Sequence, residues 1–347
     1  DLFGLNYCNS DAFKIGIVNN AEIRDLDTIK IANVEQLITK NLSLAFSEGI
    51  SIISKLSKLP QLQDLGYNVF GSFTTGEAYL LVPFVYNNQN PSASEFKLIN
   101  TGTIDKYSSL WGYSEIKYLG KQLQYPVVDK EVFKQNFVNR HEKLNKPKII
   151  ITGIRYFEAI IDAGNEYLPA KSTVAITGDL NALYYLIAVL NSKIINYYIR
   201  ENYYSSSMGG GINFTPDLVR TLPIPHIPKE VQPFIVLADR MLSLNKELQE
   251  KRGRLLRRLQ DNLQAKITTA LETFDSLEFA DFVAELKKQK IKLTLVQQDE
   301  WEEYFGQYKA ACNALSTEIA ATDKKIDNLV YDLYGLTEEE RKMIENN

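Results

Sequence analysis

Over the last third of the chain, core-type residues recur with a helical period. Tyr308, Leu315, Thr322 and Leu329 stand seven apart, and Phe305, Cys312, Ile319, Ile326 and Leu333 form a second seven-residue series offset from the first by three or four. Together they trace an a/d seam over about four heptads, the spacing with which one helix buries a stripe against another. An earlier stretch, Val231 to Leu263, carries a looser version through Phe234, Met241, Leu248 and Leu255, with Ile235, Leu242, Leu256 and Leu263 alongside. Two long helices separated by a break fold back most simply as an antiparallel pair. A short helix around Phe279 to Lys288 is expected to cap the turn.

Upstream the pattern changes. Between Gly66 and Thr177, short runs rich in Val, Ile, Tyr and Phe are bounded by Gly, Pro and Asn; Ala78 to Val85, Lys148 to Thr152 and Ser172 to Thr177 are examples and predict a largely β region. A helix is predicted from the N-cap Asp179 onwards, with Leu180, Leu183, Tyr184, Ile187, Leu190, Ile194, Ile195 and Tyr198 on its apolar face. It runs out at Glu201 and Asn202, into a Tyr/Ser/Gly-rich loop. The proline-punctuated stretch Leu222 to Pro228 cannot continue a helix or a central strand and marks a boundary. The first sixty residues are mixed, with helices expected around Val34 to Thr39 and Leu44 to Leu59. The expected architecture is α+β: a partly helical lead-in over 1–61, a mixed, largely β domain over 62–227, and a helical spacer arm of antiparallel long helices over 228–347.

The 347 residues are 45% hydrophobic and 24% charged, which suits a globular chain of about two domains. The net charge of −4 argues against a uniformly basic nucleic-acid binder, but residues 101–200 hold 13 Lys/Arg against 9 Asp/Glu and residues 301–347 hold 5 against 10. A local basic face is therefore compatible with an acidic chain. Cys8 and Cys312 lie far apart and only two histidines, His141 and His226, occur, so a zinc site or disulfide framework is not expected and a reducing cytoplasm fits. The longest apolar run, Ala182 to Leu190, is too short to span a bilayer.

Catalytic motifs are not found. Methyl transfer to an exocyclic amine usually needs an Asn/Asp-Pro-Pro-aromatic loop, and the chain has no Pro-Pro pair; the Gly209 to Gly211 cluster follows a helix and precedes a turn, the wrong context for a nucleotide cofactor. Glu95-Phe96-Lys97, Glu115-Ile116-Lys117 and Glu285-Leu286-Lys287 match half of a magnesium nuclease core, without an acidic partner in a convincing strand context. Binding features are more evident. Arg155 and Tyr156 follow the strand Lys148 to Thr152, and an Arg on such a mount can pair with the major-groove edge of guanine, or be an ordinary surface Arg. Lys171, after a Pro-Ala turn, suits phosphate or base contact, or is a solvated turn lysine. The loop holding Tyr203, Tyr204, Ser206, Gly210 and Asn213 suits close approach to sugar-phosphate, or is a mobile linker. Lys106 and Tyr107 offer the same from another loop. The cluster Lys251, Arg252, Arg254, Arg257 and Arg258 reads first as a solvated or ion-paired helix face.

Several segments in combination resemble the C-terminal target-recognition region of type IIG restriction-modification enzymes and related TaqI-like adenine-specific DNA methyltransferases. They are FKLINTGTIDKYSSLWG (96–112), KPKIIITGIRYFEAIIDAGNEYLPAKSTVAI (146–176), LYYLIAVLNSKIINYYIR (183–200), GINFTPDLVRTLPIP (211–225), LEFADFVAELKKQKIKLTLVQQDEWEEYF (277–305) and IDNLVYDLYGLTEEE (326–340). The similarity spans roughly Leu62 to Glu340. It implies a module that reads a short double-stranded DNA sequence, followed by a helical spacer like that of type I specificity subunits. It further implies an upstream or separate methyltransferase or nuclease domain using S-adenosylmethionine and magnesium, groups for which this chain carries no motif. The alternative is a protein-interaction scaffold that uses the arm.

Overall fold

The computed structural model describes residues 50–113, 115–203 and 212–346 and, by backbone alone, the strands Phe3–Asn6 (β1), Ala12–Ile17 (β2) and Lys30–Asn33 (β3). These three form an antiparallel sheet, so the lead-in contains β structure as well as helix. The helix expected at Val34 to Thr39 lies outside the described residues. The next one is present as Ile50–Leu56 (α1).

Two four-stranded sheets build the domain that follows. In the first, Asn68–Gly71 (β4) pairs with Thr173–Thr177 (β16), which pairs with Lys148–Thr152 (β12), which pairs with Ala159–Asp162 (β14), all antiparallel. In the second, Tyr86–Asn87 (β5) and Glu95–Ile99 (β6) flank Pro126–Asp129 (β11), and Tyr167–Pro169 (β15) adds to β6 in parallel. Side chains alternate across β12: Ile149 and Ile151 enter the helical core, while Ile150 points to the opposite face with Ile99, Ile104 and Ile160. Val174 and Ile176 of β16 follow the same rule, with Ala175 turned to the second sheet's core. A strand covered on both faces needs apolar residues at every position, which is why these segments read as unbroken runs. Three small pairs decorate the sheets: Ile104–Asp105 (β7) with Ser108–Ser109 (β8), Ile116–Tyr118 (β9) with Lys121–Leu123 (β10), and Ile154–Arg155 (β13) with Ile212–Asn213 (β17).

The strand expected at Ala78 to Val85 is instead the helix Thr75–Leu81 (α2) and a 3-10 turn, Val82–Phe84. Thr74 and Glu77 form a reciprocal capping box (2.8 and 3.3 Å), and Ala78 and Leu81 are buried while Tyr79 and Leu80 are exposed. The spacing is therefore helical, and the local cap outweighs the aromatic content. Helices Lys130–Asn136 (α3) and Val138–Leu144 (α4) close over the second sheet.

The predicted single helix after Asp179 is two: Leu180–Leu190 (α5) and Lys193–Asn202 (α6). The backbone breaks at Ser192, which is extended, while Asn191 still donates its amide to Ile187 O (3.1 Å) and its side chain bonds both backbone groups of Ala159, donating to the oxygen at 2.9 Å and accepting from the amide at 3.0 Å. Ser192 stands at the N-cap of α6, yet its hydroxyl donates to Val189 O. The first amide of α6, on Lys193, donates to Asp327 Oδ1 from far along the chain (2.9 Å).

After the short helix Pro216–Arg220 (α7), the proline connector is a buried seam. Leu222, Pro223, Ile224 and Pro225 are covered, and Tyr334 and Tyr185 donate their hydroxyls to the carbonyls of Pro223 (2.7 Å) and Pro225 (3.0 Å). The arm consists of Gln232–Leu263 (α8), the short Thr269–Glu272 (α9), Phe279–Lys288 (α10) at the turn, and Leu295–Leu333 (α11), followed by Glu338–Glu345 (α12). Arg240 pairs with Glu318, and Arg258 lies beside Tyr304, so α8 and α11 run antiparallel. Their seam buries Phe234, Met241, Leu248 and Leu255 from one helix and Phe305, Cys312 and Ile326 from the other. Phe234, Ala238, Met241, Ile326 and Val330 belong to the same core as β12, α5 and α6, so the base of the arm is continuous with the domain. Among the described residues no helix is long and apolar enough to cross a membrane.

Candidate nucleic-acid interface

At one end of the first sheet, β12 leaves through Gly153 into β13. Gly153 N–H donates to Thr101 Oγ1 (3.1 Å), and the same hydroxyl donates to Ser172 O (2.8 Å), tying three loops together. A Cβ at Gly153 would sit 1.9 Å from Ser172 O, so only glycine permits this approach. The loops enclose a concavity of about 480 Å³ lined by Lys117, Arg155, Tyr156, Glu158 and Lys171, among others.

The backbone around it is held in uncommon conformations. Three of the seven described non-glycine residues with left-handed φ line this concavity: Leu119 (+43°), Arg155 (+73°) and Ser172 (+66°). Such residues persist only where surrounding contacts over-determine them. At Arg155 the cause is visible, because Tyr156 N–H donates to Ile154 O (3.2 Å) across a three-residue turn. Thr152 Oγ1, bonded to Tyr156 O and to the amide of Glu158 (3.2 Å), closes the loop from inside. Tyr156 is thereby 74% exposed at the rim.

The structure brings Arg155, Tyr156 and Lys171, named separately in the sequence, to one concavity and places Asn213 next to them, because β17 pairs with β13 in the register Ile154↔Asn213. Tyr203 is elsewhere: half-buried, it caps the end of α6 and its hydroxyl meets Thr221 Oγ1 at 2.8 Å. Lys106 and Tyr107 face the arm. Lys106 Nζ pairs with Asp323 (2.6 Å), and Tyr107 is 2% exposed beside Asn191 and Asp327, so its role is in the domain–arm junction. Tyr204, Ser206 and Gly210 lie outside the described residues. Of the arm cluster, Arg252 is paired with Asp275 (2.7 Å) in the turn rather than with the acidic second helix.

Two charged residues of the concavity were not singled out for binding by the sequence. Lys117 stood there only as part of a nuclease-like triplet; it is the exposed middle residue of β9 between buried Ile116 and Tyr118. Glu158 is a single acid inside the apolar stretch Phe157 to Ile161, and burial, followed by the charge of Asp105, pushes its carboxyl up to about 7, against the opposing pull of Lys106. Among the described residues its carboxylate has no ion pair, nor have the charged ends of Lys117, Arg155 and Lys171.

A larger cleft, about 1080 Å³, separates the β domain from α8. Several of its charges are already neutralised inside the fold, as Lys97 with Glu166 and Asp162 with Lys148, and Gln249 bridges it to Ser108. Lys246, Arg257 and Lys266 of that cleft share its lining with Glu115, Glu250 and Glu272, whereas in the smaller concavity three cations accompany one acid, which makes it the better candidate for an anionic ligand. Among the described residues no cluster of three His, Cys, Asp or Glu side chains could hold a metal ion.

No curated protein matches the chain. Residues 227–330, from the proline connector through most of α11, match a family described as a domain of unknown function (DUF8810).

Proposed function

We propose that this chain is a sequence-specific duplex-DNA recognition module in which the concavity around Arg155 and Lys171 meets DNA and the helical arm orients it. The observation that carries this reading is the convergence, from separate loops, of Lys117, Arg155 and Lys171, all without ion-pair partners among the described residues, around one concavity with an exposed tyrosine on its rim. Cations in this state release counterions when they neutralise phosphates, and the rigid sheet end fixes their spacing. Arg155, presented by its tight turn, suits paired hydrogen bonds to guanine; Lys117 and Lys171 suit phosphate. In a restriction-modification enzyme of the kind the sequence resembles, adenine methylation or cleavage would be carried by another domain, where S-adenosylmethionine and magnesium would be bound. No chemical step is assigned to the residues described here.

The test is competition binding of the full chain. Enrichment from a random duplex library is expected to yield a motif, and Arg155→Ala is expected to weaken binding to it by roughly tenfold, with relaxed preference at one position. Equal affinity for all duplexes, unchanged by Arg155→Ala, would refute the reading.

The scaffold reading draws on one observation. Leu295 and Val296, at the start of α11 and the far end of the arm, are 80% and 66% exposed. If Leu295→Asp with Val296→Asp abolishes a complex with a partner protein while Arg155→Ala changes no DNA affinity, the scaffold reading replaces the first.

A further inference from the structure

Resting on the duplex-DNA reading, we propose that Glu158 is the specificity-determining acceptor of this concavity and takes a hydrogen bond from the N4 amine of a cytosine in the major groove. Among the described residues that line it, Glu158 is the one acid, and Lys117, Arg155 and Lys171 line the same concavity. Those cations attract a polyanion to the rim, but a carboxylate inside repels phosphate, so the group that reaches Glu158 must be a donor. In the major groove the donors are the amines of cytosine and adenine. Adenine presents its amine beside the N7 acceptor, which a carboxylate also repels; cytosine presents its amine with no neighbouring acceptor on that edge.

The position of Glu158 is held by the fold rather than by its own head group. Its amide donates to Thr152 Oγ1 (3.2 Å) and its carbonyl accepts from Thr152 N–H (3.0 Å), so the backbone is fixed while the carboxylate has no hydrogen-bond partner among the described residues. The charged groups nearest to it from neighbouring elements, Asp105 and Lys106, oppose one another, and Lys106 is already bound to Asp323. A half-buried carboxylate left in this state carries a desolvation cost, which pushes its carboxyl up to about 7 and leaves part of the population protonated near neutral pH; an incoming amine relieves that cost by favouring the ionised, accepting form.

The experiment is parallel enrichment of random duplexes by the full-length wild-type chain, Glu158→Gln and Glu158→Asp, with circular dichroism to show that all three are folded. Glutamine offers both a donor and an acceptor and matches adenine N6 and N7, so Glu158→Gln is expected to switch one motif position from cytosine to adenine, by roughly tenfold in relative affinity. Glu158→Asp, shorter by one methylene, is expected to weaken the cytosine preference without the switch. A motif identical in all three proteins overturns the assignment of Glu158 and leaves duplex recognition standing. A wild-type chain that enriches no motif overturns both.

Discussion

Lys148 has no exposure to solvent, and its ammonium is held by Asp162 (2.6 Å) and Asn165 (3.0 Å), while the same Asp162 accepts the amides of Glu166 (2.8 Å) and Tyr167 (2.9 Å). Burial lowers the Lys148 pKa and the neighbouring carboxylate opposes that shift. Removing the lysine alone strands a buried anion, so Lys148→Met is expected to cost about 3–5 kcal/mol in urea unfolding; a cost below about 1 kcal/mol would show that the pair is not the lock of the β14–β15 turn. Glu158 behaves in the opposite way. Its folded pKa, about 7, lies above the usual 4.5, so the folded state holds the proton more tightly and the residue's contribution to stability falls as pH rises from about 4.5 through 7. With solvent screening of this half-exposed group, Glu158→Gln is expected to stabilise the chain by about 1 kcal/mol at pH 8 and by nothing at pH 4. Thermal melts at the two pH values read this directly, and equal shifts at both would contradict it. At this scale the sequence shows that Arg155, Tyr156 and Lys171 carry suitable chemistry, because a strand end followed by a basic and an aromatic residue is a local pattern. It does not show Glu158, whose meaning depends on what lies across the concavity, nor that Lys106 and Tyr107 turn towards an arm more than two hundred residues away.

Elements with regular apolar spacing were legible, whereas α2, whose Thr74–Glu77 cap is just as local, was hidden by its aromatic and aliphatic content. The short helix in the arm's turn has the bounds that its apolar spacing predicts, Phe279–Lys288, and α8 starts and stops within a residue of expectation. The break between α5 and α6 was not legible, since Asn191 and Ser192 interrupt the apolar face without a glycine or proline. It depends on Ala159 and Asp327, neighbours only in space. That dependence is testable. With the Ser192 hydroxyl turned back to Val189, α6 relies on Asp327 for its N-terminal partner, so Asp327→Ala is expected to cost about 1–2 kcal/mol and to deprotect the first amides of α6 in hydrogen exchange. Asp327→Asn retains the accepting oxygen and is expected to preserve that protection. Asp327 is also buried enough that its carboxyl is pushed up to about 6, with Oδ2 left without a partner, so the asparagine removes a charge that burial disfavours.

For the molecule as a whole, the sequence separates a β region from a helical arm at the proline connector, and the periodicity does change there. The packing does not separate them: residues from α1, β12, α5, α6, α8 and α11 share one core, and Tyr334, Lys55 with Glu340, and Lys106 with Asp323 tie the arm to the domain. On the proposed reading, an arm fixed in this way transmits an orientation to the concavity, which a hinged linker does not. The most direct test of the central claim is fluorescence anisotropy of the full chain with its enriched duplex across a salt series, beside the Lys117→Ala, Arg155→Ala, Lys171→Ala triple variant. The account predicts salt-sensitive wild-type binding and, in the variant, weaker binding with a log–log salt slope shallower by about 2, from the phosphate contacts of Lys117 and Lys171. Wild-type binding that ignores salt, or a triple variant with the same affinity and slope, would contradict it.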